Sequence, residues 1–224
     1  MRVDASVLRK RQEEIKEAVR PSSAVLVWPS DHGILVVAAN KSPRTSGNRI
    51  FPIHDRMALV TRGDYSAGRF LAHKTVDSAY SQIIHYGPEE VDPSFVLGVL
   101  GNRLGESYET PVGPKVMAEA ILVRLETDPS DDFVGIAECS GETERVEGPL
   151  WRGPDEKGER LDAVQKHLAD VWSPDRPVKD VLTLLTSDGV LDESLRPRVR
   201  MESVFLDRDA MLRKEWTRII RRLP

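Results

Sequence analysis

The sequence predicts an α+β fold in which two antiparallel sheets pack face to face. A pair of helices covers each outer face, and one extra helix precedes the first strand. Two observations lead to this four-layer αββα sandwich. Predicted strands occur in runs and predicted helices in pairs, which favours separate layers over a parallel sheet with alternating strands and helices. Each predicted helix also carries an apolar stripe that a sheet can cover.

Length and composition fit one medium-sized domain. The chain has 224 residues, of which 40% are hydrophobic and 30% are charged. A formal net charge of −4 provides no basic field for nucleic acid. No apolar run approaches the ~20 residues that span a membrane, and the charged N-terminus predicts no secretory signal. Cys139 is the only cysteine, so no intrachain disulfide can form and a cytoplasmic location is expected.

The first segment, residues 4–19, is predicted to be an amphipathic helix. Leu8, Ile15 and Val19 form its narrow apolar stripe. Pro21 ends the helix, because a residue that precedes proline avoids the helical region. Since the stripe is narrow, a neighbouring chain and the chain's own sheet are equally good candidates to cover it.

Four strands and two helices are predicted next. The strands come as two pairs of short apolar runs, each joined by a polar turn. The second helix begins where Asp92 can cap the chain and Pro93 suits the first turn, and Phe95 is expected on its buried face. The predicted strands cover residues 24–28, 33–39, 50–53 and 57–61, and the helices cover residues 67–85 and 93–108.

The rest of the chain repeats the pattern of strands followed by helices. A turn at Ser140 and Gly141 is expected between two of the strands. The predicted organisation is an N-terminal segment (1–21), a main domain (22–207) and a C-terminal extension (208–224), which fits either a helix or a strand. The later strands are predicted at residues 117–125, 133–138, 144–150 and 201–206, and the helices at 161–171 and 178–186.

Four stretches in the N-terminal third carry specific motifs: SSAVLV (22–27), DHGILVVAAN (31–40), NRIFPI (48–53) and DRMALVTRG (55–63). The first three resemble the first three strands of proteasome subunits, which have the fold of the N-terminal-nucleophile hydrolases. The fourth resembles the stretch that leads into the first helix of these subunits. The order of later elements continues the match over most of the chain, whereas the specific motifs lie in the N-terminal third. The details resemble the bacterial, non-catalytic α type.

This resemblance implies that the chain has no catalytic residue of its own. Active subunits begin at a threonine freed by removal of a propeptide, but Ser22 and Ser23 lie near that position here. Active subunits place a lysine at the start of the third strand, where this chain has Arg49, which stays protonated. Ala38 and Ala39 replace the acidic partner expected on the second strand.

The resemblance implies a binding role for Arg49. In α rings the corresponding lysine lies in a pocket between adjacent subunits and pairs with the terminal carboxylate of a ring-shaped ATPase. Arg49 can make the same pair through a bidentate fork, and Gly63 is expected to shape the same pocket. In the alternative, Arg49 is a solvent-exposed residue at the start of a strand.

The implied function is that of an α-type subunit in protein degradation. Seven-membered rings of this chain would cap β subunits with threonine-protease activity, admit unfolded proteins and dock an ATPase or another activator. Leu8, Ile15 and Val19 would belong to the gate and inter-subunit helix. No cofactor, metal, nucleic acid or membrane is expected, since the histidines lack metal-ligand spacing and no nucleotide motif is present.

Two alternatives stay open. One is a self-processing hydrolase that uses Ser22 as its N-terminal nucleophile. The other is a proteasome-like scaffold that assembles without a protease partner.

Overall fold

The computed structural model of the chain describes residues 5–22, 24–40, 48–154, 159–187, 200–215 and 219–223. These residues form an α+β structure with two antiparallel five-stranded sheets and six α-helices. Within these ranges, no helix is long and apolar enough to cross a membrane. The helices are α1 (Ala5–Val19), α2 (Tyr65–Tyr86), α3 (Pro93–Glu109), α4 (Glu159–Val171), α5 (Val178–Ser187) and α6 (Arg208–Leu212).

The two sheets take their strands from different parts of the chain. The first sheet has the order β10-β9-β2-β1-β8, so the C-terminal strands join the N-terminal hairpin. The second sheet has the order β3-β4-β5-β6-β7, which follows the chain. The strands are β1 (Val25–Ser30), β2 (Gly33–Asn40), β3 (Ile50–His54), β4 (Met57–Gly63), β5 (Ala118–Arg124), β6 (Phe133–Ala137), β7 (Thr143–Arg145), β8 (Leu150–Arg152), β9 (Arg200–Asp207) and β10 (Ile220–Leu223).

Alternate residues of β1 belong to different parts of the core. Val25 and Val27 pack in a cluster that contains residues of both sheets. Leu26 and Trp28 pack in another cluster with residues of α4 and α5. Because successive side chains of a strand point to opposite faces, the first sheet has one face toward the second sheet and one toward this helix pair. A third cluster joins the second sheet to α2 and α3.

Most predicted elements are confirmed within two residues at each end. Asp92 caps α3 as predicted, since its Oδ1 accepts a hydrogen bond from the Ser94 amide at 2.8 Å. Pro93 is the first residue of that helix. The turn at Ser140 and Gly141 is also confirmed, closed by a 2.8 Å hydrogen bond from the Gly141 amide to the carbonyl of Glu138.

Two predictions about local structure are wrong. The strand predicted at residues 144–150 is two strands, β7 and β8, which belong to different sheets. Gly148, with φ of +76°, and the following Pro149 interrupt the extended chain between them. Phe95 is 54% exposed, because α3 turns Val96 and Leu97 toward the core instead.

The ambiguous C-terminal extension contains both predicted conformations. It begins with the short helix α6 and ends in β10, which pairs with β9 at the edge of the first sheet. Residues 216–218, which include one of the apolar positions of the predicted pattern, lie outside the described part of the chain.

Helix α3 packs closely against the turn after β6 where both segments carry glycine residues. A Cβ atom on Gly101 would lie 2.7 Å from the carbonyl oxygen of Gly141, and one on Gly141 would lie 2.6 Å from the Cα of Gly105. Real Cβ contacts are essentially never this short, so the close approach requires glycine. This packing places the turn after β6 beside the C-terminal half of α3.

We expect Gly101→Ala to lower the free energy of unfolding by about 1–3 kcal/mol, because the added methyl group overpacks this contact. The matched control is Gly98→Ala on the same helix, where a Cβ would meet no described heavy atom within 4 Å. We expect the control to stabilise the protein by up to about 1 kcal/mol through helix propensity. Urea unfolding measures the free energy of unfolding of both variants. Equal effects of the two substitutions would contradict the packing argument.

Candidate functional site

Arg49 and Gly63, the two predicted pocket residues, are in direct contact. Arg49 immediately precedes β3 and Gly63 ends β4, and these strands are antiparallel neighbours. The Arg49 Nη1 donates a hydrogen bond to the carbonyl oxygen of Gly63 at 2.8 Å. The Arg49 carbonyl in turn accepts from the Thr61 amide at 3.0 Å. Strand pairing therefore positions both residues at one end of the second sheet.

Arg49 is buried, so the alternative of a solvent-exposed arginine is wrong. Only 8% of the residue is exposed. Burial lowers the pKa of its guanidinium, whereas the nearby negative groups, Asp64 and Glu202 among them, raise that pKa. The Nε of Arg49 is buried and has no hydrogen-bond partner among the described residues. This buried donor of the guanidinium is therefore not satisfied by the described residues.

Glu202 anchors the backbone at Arg49. Its Oε2 accepts from the Arg49 amide at 2.7 Å and from the Ile50 amide at 3.4 Å. Glu202 lies on β9 in the first sheet, whereas Ile50 begins β3 in the second. This carboxylate joins the two sheets beside Arg49.

Gly63 occupies a position that only glycine suits. Its φ is +100°, and a Cβ there would lie 2.8 Å from the Cα of Ala118 on the neighbouring strand. The next residue, Asp64, caps α2 by accepting from the Ala67 amide at 2.9 Å. The carbonyl that receives Arg49 is thus held between a strand pair and a helix N-terminus.

Helix α1 packs on this end of its own chain. Ile15 and Val19 are buried and cluster with Cys139, with Tyr108 and Met117 beside them. The proposed role of α1 in subunit contacts stays a prediction, and its exposed positions are the ones that remain available for it.

Leu8, the remaining residue of the predicted apolar stripe of α1, lies in different surroundings from Ile15 and Val19. Leu8 is half-buried, and its neighbour Val7 is 50% exposed. Any contact of α1 with a neighbouring subunit is therefore expected near these residues rather than at the buried Ile15 and Val19.

Arg11 is the main α1 contact that sequence reasoning missed. It is buried, and its Nε donates to the Ser107 carbonyl at 2.9 Å. Its Nη1 and Nη2 donate to the carbonyls of Gly113 and Pro114 at 3.1 and 2.8 Å. The signal for this role was its place four residues before Ile15, in line with the apolar stripe.

Ser22 lies three residues after the end of α1. Its amide donates to the carbonyl of Val19 at 3.0 Å, and its hydroxyl oxygen is buried with no partner in the described part of the chain. Ser23 lies outside the described residues. Ala38 and Ala39 are fully buried and bring no acidic group. The described contacts therefore provide no base that would activate the Ser22 hydroxyl.

Arg62 and Glu119 form a buried ion pair at the same end. They lie on the paired strands β4 and β5, and Arg62 Nη1 donates to Glu119 Oε2. Arg62 Nη2 also donates to the carbonyl of Gly153 at 3.0 Å, just after β8 of the first sheet. The pair therefore links the two sheets as Glu202 does.

Comparisons with known proteins assign no family to this chain. No protein-family model matches it, and no curated protein gives a significant match. In the ranges described, no group of three or more His, Cys, Asp or Glu side chains is placed to hold a metal ion.

We expect Arg11→Gln to lower the free energy of unfolding by about 1.5–3 kcal/mol, because carbonyl groups that now accept from a cation lose their donors. Amide hydrogen exchange of α1 should also become faster. Arg9→Gln is the matched control, since Arg9 is exposed on the same helix, and we expect it to change stability by less than about 0.5 kcal/mol. Unchanged exchange in Arg11→Gln would contradict the role given to Arg11.

Proposed function

We propose that this chain is a non-catalytic α-type subunit of a bacterial-type proteasome core. One observation carries the proposal. Helix α1 stands ahead of β1 and is held on its own chain by Arg11, Ile15 and Val19. By the resemblance, α-type subunits keep such a helix, whereas active β-type subunits discard what precedes their first strand.

The core clusters support the finer fold that this family requires. One cluster contains residues of both sheets, and each sheet shares another cluster with a helix pair, α2–α3 or α4–α5. We infer a four-layer αββα sandwich, with α1 as the additional helix. The strand orders leave β1 and β2 inside the first sheet, with β9 and β8 on either side of them.

The surroundings of Arg49 and Ser22 support a subunit without catalysis. A guanidinium keeps its proton at physiological pH and cannot serve as the base that an N-terminal nucleophile needs. Arg49 is moreover engaged by the Gly63 carbonyl.

Arg49 also supports the docking of an ATPase tail. Its Nε is a buried donor without a described partner, and a carboxylate is the acceptor that a guanidinium binds most strongly. A terminal carboxylate that reaches this donor would complete its hydrogen bonding. Gly63, whose carbonyl holds Nη1, would orient the guanidinium for that contact.

Exposed apolar side chains support further partners. Ile84 is 78% exposed, and Tyr80 and Tyr86 are exposed on the same last turns of α2. We propose that a homo-heptameric ring, β subunits and an ATPase or other activator bury such surfaces in the cytoplasm, and that the assembly admits unfolded proteins. The threonine-type endopeptidase activity belongs to the β subunits.

Native mass spectrometry of the full chain, expressed alone and with the host's candidate β subunit, tests the assembly. We expect a complex of about twenty-eight chains with full-length copies of this one and a processed partner. Rings that form and never bind the β subunit would favour the scaffold. A small oligomer trimmed to Ser22 and active alone would favour the self-processing hydrolase.

Deletion of residues 1–20 should speed the hydrolysis of peptides by the co-assembled core, because α1 then no longer covers the entrance. Arg11→Gln should give a smaller acceleration, since it loosens α1 without removing it. Native mass spectrometry confirms that each complex is intact. Unchanged hydrolysis by intact complexes of both variants would contradict the gate.

A further inference from the structure

A cleft of about 420 Å³ lies between α1 and the turn after β6. This volume falls within the range of about 300–1,000 Å³ that is common for small-molecule sites. Val19 and Cys139, both more than nine-tenths buried, line it together with charged side chains. Cys139 is a free, buried thiol.

One side of the cleft is acidic. Glu119, Glu138 and Glu142 line it. Glu119 is paired with the buried Arg62, and Glu138 lies 3.3 Å from Arg152. Glu142 is exposed and forms no ion pair with a described residue. Three carboxylates thus share one cleft, and two of them are paired with arginines.

The negative charge of the Glu138 carboxylate is only partly balanced by neighbouring cations. Burial raises the pKa of Glu138. The Arg152 guanidinium lowers this pKa, whereas the nearby carboxylates of Glu119 and Glu142 raise it. A cationic group in the cleft would relieve this repulsion.

The opposite side of the cleft is basic. Lys16 lies on α1 and Arg20 directly follows the helix, and both line this side of the cleft with Tyr108. The Lys16 Nζ lies 5.7 Å from the centroid of the Tyr108 ring. Lys16 also donates a hydrogen bond to the Tyr108 side chain, which raises the pKa of Lys16. Neither Lys16 nor Arg20 forms an ion pair with a carboxylate in the described ranges, so an anionic group can pair with both.

We propose that this cleft binds a small zwitterion with a free ammonium and a free carboxylate, as in an amino acid or a short peptide. The ammonium lies against Glu138 and Glu142, and the carboxylate lies against Lys16 and Arg20. The proposal concerns the isolated chain and does not depend on assembly into a proteasome.

Binding has a consequence for α1. Because Lys16 and Val19 belong to this helix, Arg20 directly follows it, and the carboxylates belong to β5 and the turn after β6, a bound zwitterion bridges the C-terminal end of α1 to the sheet end. A ligand that binds only the docked arrangement stabilises that arrangement by mass action. The zwitterion therefore holds α1 in place.

Isothermal titration calorimetry of the full chain with alanine, dialanine, N-acetyl-dialanine and dialanine amide tests the ligand class. The two blocked dipeptides each lack one charged end and should bind at least tenfold more weakly than dialanine. Comparison of alanine with dialanine shows whether the cleft takes amino acids or peptides. Equal binding of free and blocked dipeptides, or no binding of either zwitterion, would overturn the proposal.

Two substitutions locate the site. Glu138→Gln and Arg20→Gln should each weaken dialanine binding at least tenfold, whereas their controls at exposed positions, Glu109→Gln and Arg9→Gln, should not change it. The pKa of Glu138 is raised in the folded protein, so the charged form of this side chain is less favourable there than in the unfolded chain. Removal of the charge in Glu138→Gln should therefore not reduce the melting temperature. Wild-type affinity in both site variants would overturn the assignment.

Cys139 provides a reporter inside the cleft. It is the only cysteine of the chain, and burial raises the pKa of its thiol to about 11, so alkylation at neutral pH should be slow. Dialanine should slow this alkylation further and should slow amide exchange in α1. If dialanine binds without changing either rate, its site lies elsewhere and the proposal fails. These experiments need no β subunit, so their outcome is independent of the assembly test.

Discussion

Five buried arginine side chains hold the loops of this chain against its two sheets. Each donates to at least one backbone carbonyl oxygen outside its own strand or helix. A buried guanidinium is costly unless its donors are paired, so each arginine requires its loop to stay in place. Arg208 adds a buried ion pair with Asp132 at 2.6 Å. The arginines are Arg11, Arg49, Arg62, Arg124 and Arg208.

Three of these cations act at the end of the sheets that α1 covers. Arg11 ties α1 to the loop after α3, Arg49 ties the start of β3 to the end of β4, and Arg62 ties the second sheet to Gly153. The contact between Arg49 and Gly63 and the mixed-charge cleft lie at this end. Their geometry therefore depends on these polar contacts together with the small apolar cluster of Ile15, Val19 and Cys139, which is separate from the larger clusters between the sheets and beneath the helix pairs.

Short-range chemistry explains which elements were predicted and which were not. Asp92 and Pro93 mark the start of α3 because a cap and a first-turn proline act within one turn of a helix. The split of residues 144–150 into β7 and β8 was not predicted, because a short alternating run does not specify the sheet with which it pairs. Phe95 was expected to be buried, since an apolar side chain beside Val96 fits a helical stripe equally well from sequence.

The sequence by itself determined the type and order of most elements, since helix caps, prolines and apolar periods act between near neighbours. Tertiary structure decided which side chains meet. Arg11 reaches carbonyls 96 to 103 residues away, and Arg62 reaches Gly153, 91 residues away. Such contacts form only once the two sheets and α1 have packed. They could not be predicted from sequence, because a local pattern carries no information about a partner so distant in the chain.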